Sequence, residues 1–214
     1  IVKGVKLKKY DYNGEVVATE WSNNPAWVAL DILTNTRYGG GVKLERIDIP
    51  KFVEWAEFCE QENLTFNGYI YSDSNIWDTL NLVCTSNHAT VVFCGTKITL
   101  AIDRKEEPIY LFNGSNIIEG TFSTDWSGVK DKPNSFELSF NNKNNGYVEQ
   151  TLKVIDTDYV EQAGDLNTLS ITAVGITDEE RATRELKRYI LKNKYQRQTV
   201  TFSAPIEAVG CTIG

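Results

Sequence analysis

Between residues 24 and 85 apolar side chains recur at helical spacing in three separate segments, and from about residue 109 the pattern changes to alternation in twos. A chain that changes period in this way reads as α+β. The first helix is signalled by Asn24 as a cap, Pro25 at the first helical position and the apolar run through Trp27, Leu30 and Leu33. The second opens at Asp48 and Pro50, carries Phe52, Val53, Trp55, Ala56, Phe58 and Cys59, and ends near Asn63. The third opens at Ser74 or Asn75 and carries Ile76, Trp77, Leu80, Leu82, Val83 and Cys84. Trp27, Trp55 and Trp77 each fall on an apolar stripe, which predicts one shared core.

Strands fill the remainder. Residues 1–20 alternate around Asn13-Gly14 and predict a hairpin. Leu64 to Tyr71 alternates like a strand, and Thr90 to Cys94 with Lys97 to Ile102 flanks a Gly95-Thr96 turn. Further strands are expected over Thr121 to Trp126, Ser135 to Asn141, Tyr147 to Val154, Leu166 to Val174 and Gln198 to Ser203. Thr177 followed by Glu180 predicts a capping box for a helix reaching Asn193. The run Asn141 to Gly146 is a turn by composition, and Gly39-Gly40-Gly41 reads as a flexible helix exit.

Charge narrows the function. Twenty-two Lys and Arg against 29 Asp and Glu give a net charge of −7, the opposite of a phosphate-neutralising surface. The basic run from Arg181 to Arg197 begins after Asp178, Glu179 and Glu180, the arrangement in which a solvated helix complements its own dipole. No apolar run approaches the roughly 20 residues that span a bilayer. The 214 residues include no methionine, and the expectation is a piece from the interior of a longer protein.

A Ser-His or Cys-His nucleophile would have to use His88, the single histidine, and no G-x-S-x-G elbow or caspase-like or papain-like context accompanies it. Cys84, His88 and Cys94 are spaced C-x3-H-x5-C, unlike a tight zinc knuckle. With Cys59 and Cys211 they read as buried free thiols, and His88 as a helix-ending residue. Asp73, Asp78, Asp103 and Asp125 stand where Asp makes local hydrogen bonds, although a glycosidase-like pair is an open alternative. Asp156-Thr157-Asp158 lacks the glycine and distal glutamate of a calcium loop. Trp21 and Trp126 are the tryptophans free to form a carbohydrate platform. The expectation is no catalytic residue, no cofactor and no metal site.

The stretch Trp21-Ser22-Asn23-Asn24-Pro25-Ala26-Trp27, continuing through Leu30-Asp31-Ile32-Leu33 to Arg37-Tyr38-Gly39-Gly40-Gly41, resembles the tail-tip attachment protein J family of lambda-like long-tailed phages. Further matches follow in the family's order: Trp55 to Glu60, Phe66-Asn67 with Tyr69-Ile70, and Ile76 to Leu80. Then come Ile102-Asp103-Arg104, Phe112-Asn113 with Asn116 to Ile118, and Lys130-Asp131-Lys132. The last are Asn144 to Tyr147, Gly175-Ile176-Thr177 with Arg181-Ala182, and Thr199 to Phe202. The chain departs from the family in shorter loops around residues 60–66, and its end at Gly214 falls where the family continues into a further conserved segment.

That resemblance implies a structural, non-enzymatic tail-hub fragment located in the virion tail tip and assembled in the bacterial host cytoplasm. It implies a homotrimer in the full-length context, contacts to the distal tail protein and the tape-measure protein, and DNA only as passing cargo. An acidic surface suits a conduit through which DNA slides. The expected fold is α+β, a β-rich hub domain of residues 1–23 plus 109–214 with a three-helix α/β subdomain, residues 24–108, inserted. The alternative is a carbohydrate-active module, binding glycan or hydrolysing it with a carboxylate pair.

Overall fold

The structure is a computed structural model that describes residues 4–70, 75–126, 128, 132–157, 160–161 and 165–211. It is α+β and divides into two units, Ile1–Arg104 with Val174–Ile176 and Lys105–Ala173 with Thr177–Ile213.

In the first unit, β1 (Lys6–Tyr10) and β2 (Val16–Trp21) pair antiparallel through a turn in which Gly14 holds φ +84°. The Asn24 side chain accepts the Ala26 N–H, satisfying an orphan donor at the start of α1 (Pro25–Thr34). Its amide also donates to Ala56 O at 2.9 Å in α2 (Ile49–Gln61), so one residue both caps a helix and ties it to the next. Asp48 does not cap α2 with its side chain; it accepts instead from Thr99 Oγ1 at 2.9 Å. Asn75 caps α3 (Ile76–Thr85), and β3 (Ala89–Cys94) pairs with β4 (Lys97–Ile102) in register around Gly95. Helices α1, α2 and α3 share one core with this hairpin. At its centre lie Trp55, Phe52, Leu30, Leu80 and Val83.

Leu7 and Tyr10 of β1 belong to that same core, although the sequence pattern groups the hairpin with 109–214. The Gly39-Gly40-Gly41 exit is not loose. Gly40 N–H donates to Ile32 O at 2.8 Å and Val42 N–H to Leu33 O at 2.8 Å, folding the chain back over the end of α1. A Cβ on Gly39 would stand 2.4 Å from Ile32 O, which explains the glycine. Nor is 64–70 a strand: Phe66 N–H goes to Asn23 O and Asn67 N–H to Gly175 O, two different segments, so no ladder forms. Tyr71, Asp73 and Ser74 lie outside the described residues.

The second unit centres on β6 (Ser135–Asn142), flanked by antiparallel β7 (Val148–Ile155) and parallel β8 (Thr168–Thr172). Phe136, Leu138 and Phe140 are buried on the face against α4 (Glu179–Tyr195), whose Ala182 and Leu186 are buried too. The alternate residues Glu137, Ser139 and Asn141 form a polar face: Glu137 pairs with Lys153, and Ser139 hydrogen-bonds Thr151 at 2.8 Å. This is the period-two division the sequence predicts. The Asn141 to Gly146 turn closes around Asn142, whose Oδ1 accepts from Asn144 N–H, with Gly146 at φ +61°.

Asp178, rather than Thr177, caps α4, accepting the Glu180 N–H while pairing with Lys143. Thr177 is buried, and its carbonyl accepts from Lys143 N–H. The hydrogen bond from Lys143 holds the Asp178 carboxyl below its usual range. A carboxyl whose folded pKa is lowered stabilises above its unfolded pKa and loses that contribution as pH falls through the folded value. Thermal stability is therefore expected to fall on acidification below about pH 4. Asp178→Asn, which keeps the cap acceptor and loses the charge, should cost about 0.3–1 kcal/mol at neutral pH and make the acid decline shallower in melts followed by circular dichroism. A variant with the wild-type pH profile would remove Asp178 from the acid response.

Candidate functional site

In the second unit, Ser123–Trp126 (β5) and Gln198–Thr201 (β9) form an antiparallel ribbon that sets Thr124 opposite Val200 and Trp126 opposite Gln198. All of β9 is exposed, Trp126 is 69% exposed, and among the described residues the sheet has these two strands alone. Two-stranded ribbons are marginal in water without further cover. The segment Gln198 to Ser203 contains no charge and no proline, the two devices that ordinarily keep an edge strand from pairing with another chain.

The ribbon is fixed at its base. Rings of Tyr110 and Phe112 lie 4.7 Å apart between centroids, and Phe112 and Phe202 4.9 Å apart. Ile118 N–H donates to Ser203 O at 2.9 Å, and Ser203 N–H to Thr121 Oγ1 at 3.0 Å. At the helix end that leads into β9, the buried Lys132 donates to Asn193 O at 3.0 Å and Gln196 O at 2.6 Å, capping the last carbonyls of α4. Burial pushes its ammonium pKa down, and Arg197 adds to the shift. Ile109, Leu111, Phe122, Tyr195 and Ile206, all in this unit, are exposed as well. An uncharged open edge, in a unit that exposes large apolar side chains, is a surface for adding a strand.

The residues weighed for chemistry are distributed differently. Cys59 and Cys84 are buried and in no disulfide, and desolvation raises the Cys84 pKa far above the usual thiol range. Cys94 is exposed and Cys211 half-buried, against the expectation of burial. His88 follows α3 with φ +62°, its ring 6.4 Å from Phe58. Among the described residues no group of three or more His, Cys, Asp or Glu could hold a metal ion. Asp78 lies in the first turn of α3, Asp103 donates its N–H to His88 O just after β4, and Asp125 is in β5. Asp73 and Asp158 fall outside the described residues. Trp21 is exposed in β2 and Trp126 in β5; Trp55 is fully buried, Trp27 is buried, and Trp77 stacks on Phe93 at 4.9 Å at the edge of the core.

A family of proteins described as "Putative phage tail protein" matches residues 75–214, which include the whole ribbon. The chain belongs to this phage tail protein family. Tip attachment protein J of Escherichia phage SECphi27 is 29% identical over 206 residues, covering 91% of this chain and 17% of that protein. Baseplate hub protein pb3 of Escherichia phage T5 is 22% identical over 236 residues, covering 98% of this chain and 25% of that protein. The chain thus spans a quarter or less of these relatives' length. A tail protein from Neisseria meningitidis MC58 of known crystal structure aligns with TM-score 0.45 and 11% identity over 65% of this chain and 42% of that one. As a phage tail protein, the chain has no described helix long and apolar enough to cross a membrane.

Sequence reasoning missed Lys132 as a helix cap and Asn134 as a buried tie between segments. The local signal was Lys132-Pro133-Asn134, where proline forces extended backbone beside two side chains that reach carbonyls.

Proposed function

We propose that this chain is a structural, non-enzymatic segment of a phage tail tip, part of a baseplate hub that scaffolds host attachment and DNA delivery. The observation that carries this reading is the open β5/β9 ribbon, an uncharged edge presented inside a family of tail proteins. Relatives named for tip attachment and for the baseplate hub support the location. In the assembled tail the parent protein forms a homotrimer, contacting the distal tail and tape-measure proteins. The three-helix α/β subdomain, with the β1/β2 hairpin packed on its core, serves as one module of that hub. Strand addition at β9 suits such a scaffold, because main-chain hydrogen bonds hold a neighbour without any catalytic constellation.

Immunogold labelling of phage particles with an antibody against this chain tests the location. Label is expected at the free end of the tail; label on the capsid, along the tube, or on no particle would overturn the reading. In the same particles Val200→Lys, which places a charge on the exposed edge without touching the core, should reduce labelled tails roughly tenfold.

A further inference from the structure

The sequence holds four Asn-Gly pairs: Asn13-Gly14, Asn67-Gly68, Asn113-Gly114 and Asn145-Gly146. We propose that Asn113, in the second unit, is a self-modification site, which its own turn drives to aspartate and isoaspartate through a succinimide with water as co-reactant. Asn113 Oδ1 accepts from Ser115 N–H at 2.9 Å and from Ser115 Oγ at 2.9 Å. The first bond closes a ring of chain atoms around Gly114 and keeps Asn113 Cγ beside the Gly114 peptide. Both donors aim at the oxygen on which charge develops when a nucleophile adds to Cγ, the arrangement of an oxyanion hole. The nucleophile, Gly114 N, and the leaving group, Asn113 Nδ2, have no hydrogen-bond partner among the described residues. Glycine has no Cβ to shield that nitrogen. The turn keeps its shape because Asn113 N–H donates to Asn116 Oδ1 at 2.6 Å and Asn116 Nδ2 to Leu111 O at 2.8 Å.

The other three pairs are held differently. Gly14 N–H is already donated to Asp11 O at 3.0 Å. Gly146, at φ +61°, follows a turn pinned by Asn144 N–H on Asn142 Oδ1 and Tyr147 N–H on Asn142 O. At Gly68 the Phe66 ring crowds the backbone, since a Cβ there would stand 2.8 Å from Phe66 Cζ. At Asn113, hydroxide removes the Gly114 N–H proton, and the nitrogen attacks Cγ while the carbonyl electron pair moves onto Oδ1. As that pair returns, the Cγ–Nδ2 bond breaks and Nδ2 leaves as ammonia with a proton from water. Water then opens either succinimide carbonyl, so each conversion consumes a water and releases an ammonia. Isoaspartate routes the main chain through the side-chain carbon and lengthens it just after Phe112, whose ring packs on Phe202 at 4.9 Å. The modification thereby loosens the base of the β5/β9 ribbon. This inference is independent of the tail-tip reading.

Peptide mapping by mass spectrometry of the whole chain, kept folded in mildly alkaline buffer, tests it. Asn113 is expected to convert at least about tenfold faster than the other three, and in urea, where the donors are no longer placed, the four rates should agree within about threefold. Ser115→Ala removes one donor and should slow Asn113 about three- to tenfold, less than the hundredfold or more lost with an oxyanion donor in a water-excluded site. In Gly114→Ala φ lies outside the left-handed region and nothing lies within 4 Å of the added Cβ, so the variant keeps its fold. Its Cβ shields the nitrogen and should slow conversion by about tenfold. Another pair converting as fast as Asn113 in the folded chain, an Asn113 lead that persists in urea, or the wild-type rate in Ser115→Ala would each overturn the proposal.

Discussion

Replacing Trp55 with alanine is expected to remove about 3–5 kcal/mol of stability through the cavity and lost transfer energy alone. Trp55 is fully buried, meets Phe52 edge-on at 6.4 Å between centroids, and donates from Nε1 to Asn87 O at 3.0 Å. Asn87 is itself fully buried, its amide bonded to Val83 O at 2.7 Å, so the loss leaves a carbonyl without its indole donor. The lost indole hydrogen bond adds about 0.5–1.5 kcal/mol. Against the 5–15 kcal/mol typical of a folded domain, this is a large share of the stability. Trp55→Phe keeps most of the volume and should cost clearly less. Urea denaturation followed by circular dichroism separates the two, and a loss under about 2 kcal/mol for Trp55→Ala would mean the core collapses to fill the site.

That Trp55 lies at the centre was legible in the sequence because the helical stripe and the Pro50 start fix which face of α2 is apolar. Asn24-Pro25 was legible for the same reason: a cap and a helix start are decided within three or four residues. Features that depend on distant partners were not. Leu64 to Ile70 alternates as well as any strand, but the N–H groups of Leu64, Phe66 and Asn67 go singly to Cys59, Asn23 and Gly175, and alternation says nothing about whether a ladder partner exists. The cap of α4 slipped by one residue because Thr177 and Asp178 are both competent, and Lys143, 35 positions earlier, holds the aspartate. The ribbon was half visible: β5 and β9 were each recognisable, but their pairing across more than 70 positions follows from topology. Its missing edge charges were visible in Gln198 to Ser203 all along, yet acquire meaning only once those residues are known to be exposed.

Asn134→Asp should reverse the pH dependence of stability, although it changes one atom. Asn134 is fully buried; its amide donates to Asp165 O at 2.7 Å, its Oδ1 accepts from Asn167 N–H at 2.8 Å, and its carbonyl accepts from Asp156 N–H at 2.8 Å. Aspartate puts a second oxygen where the amide faced the Asp165 carbonyl, so the site accepts the carboxyl only when that oxygen carries a proton. Burial and the facing carbonyl both raise the folded pKa above the unfolded value of about 3.9. Such a group keeps its full stability below the unfolded pKa and loses it as pH rises through the folded pKa. Relative to wild type, the variant should lose only about 1 kcal/mol near pH 4 and about 3–5 kcal/mol at pH 7, where an uncompensated charge would be buried. The wild-type trend runs the other way, since Asp178, Glu54 and Glu137 hold lowered pKa values and weaken the fold on acidification. Asn134→Ala supplies the reference: it orphans the same Asp165 carbonyl and Asn167 N–H, with a loss of about 2–3 kcal/mol independent of pH. A difference between Asn134→Asp and wild type that stays constant from pH 4 to 7 would show that the second oxygen finds a donor, and that the buried asparagine acts through shape alone.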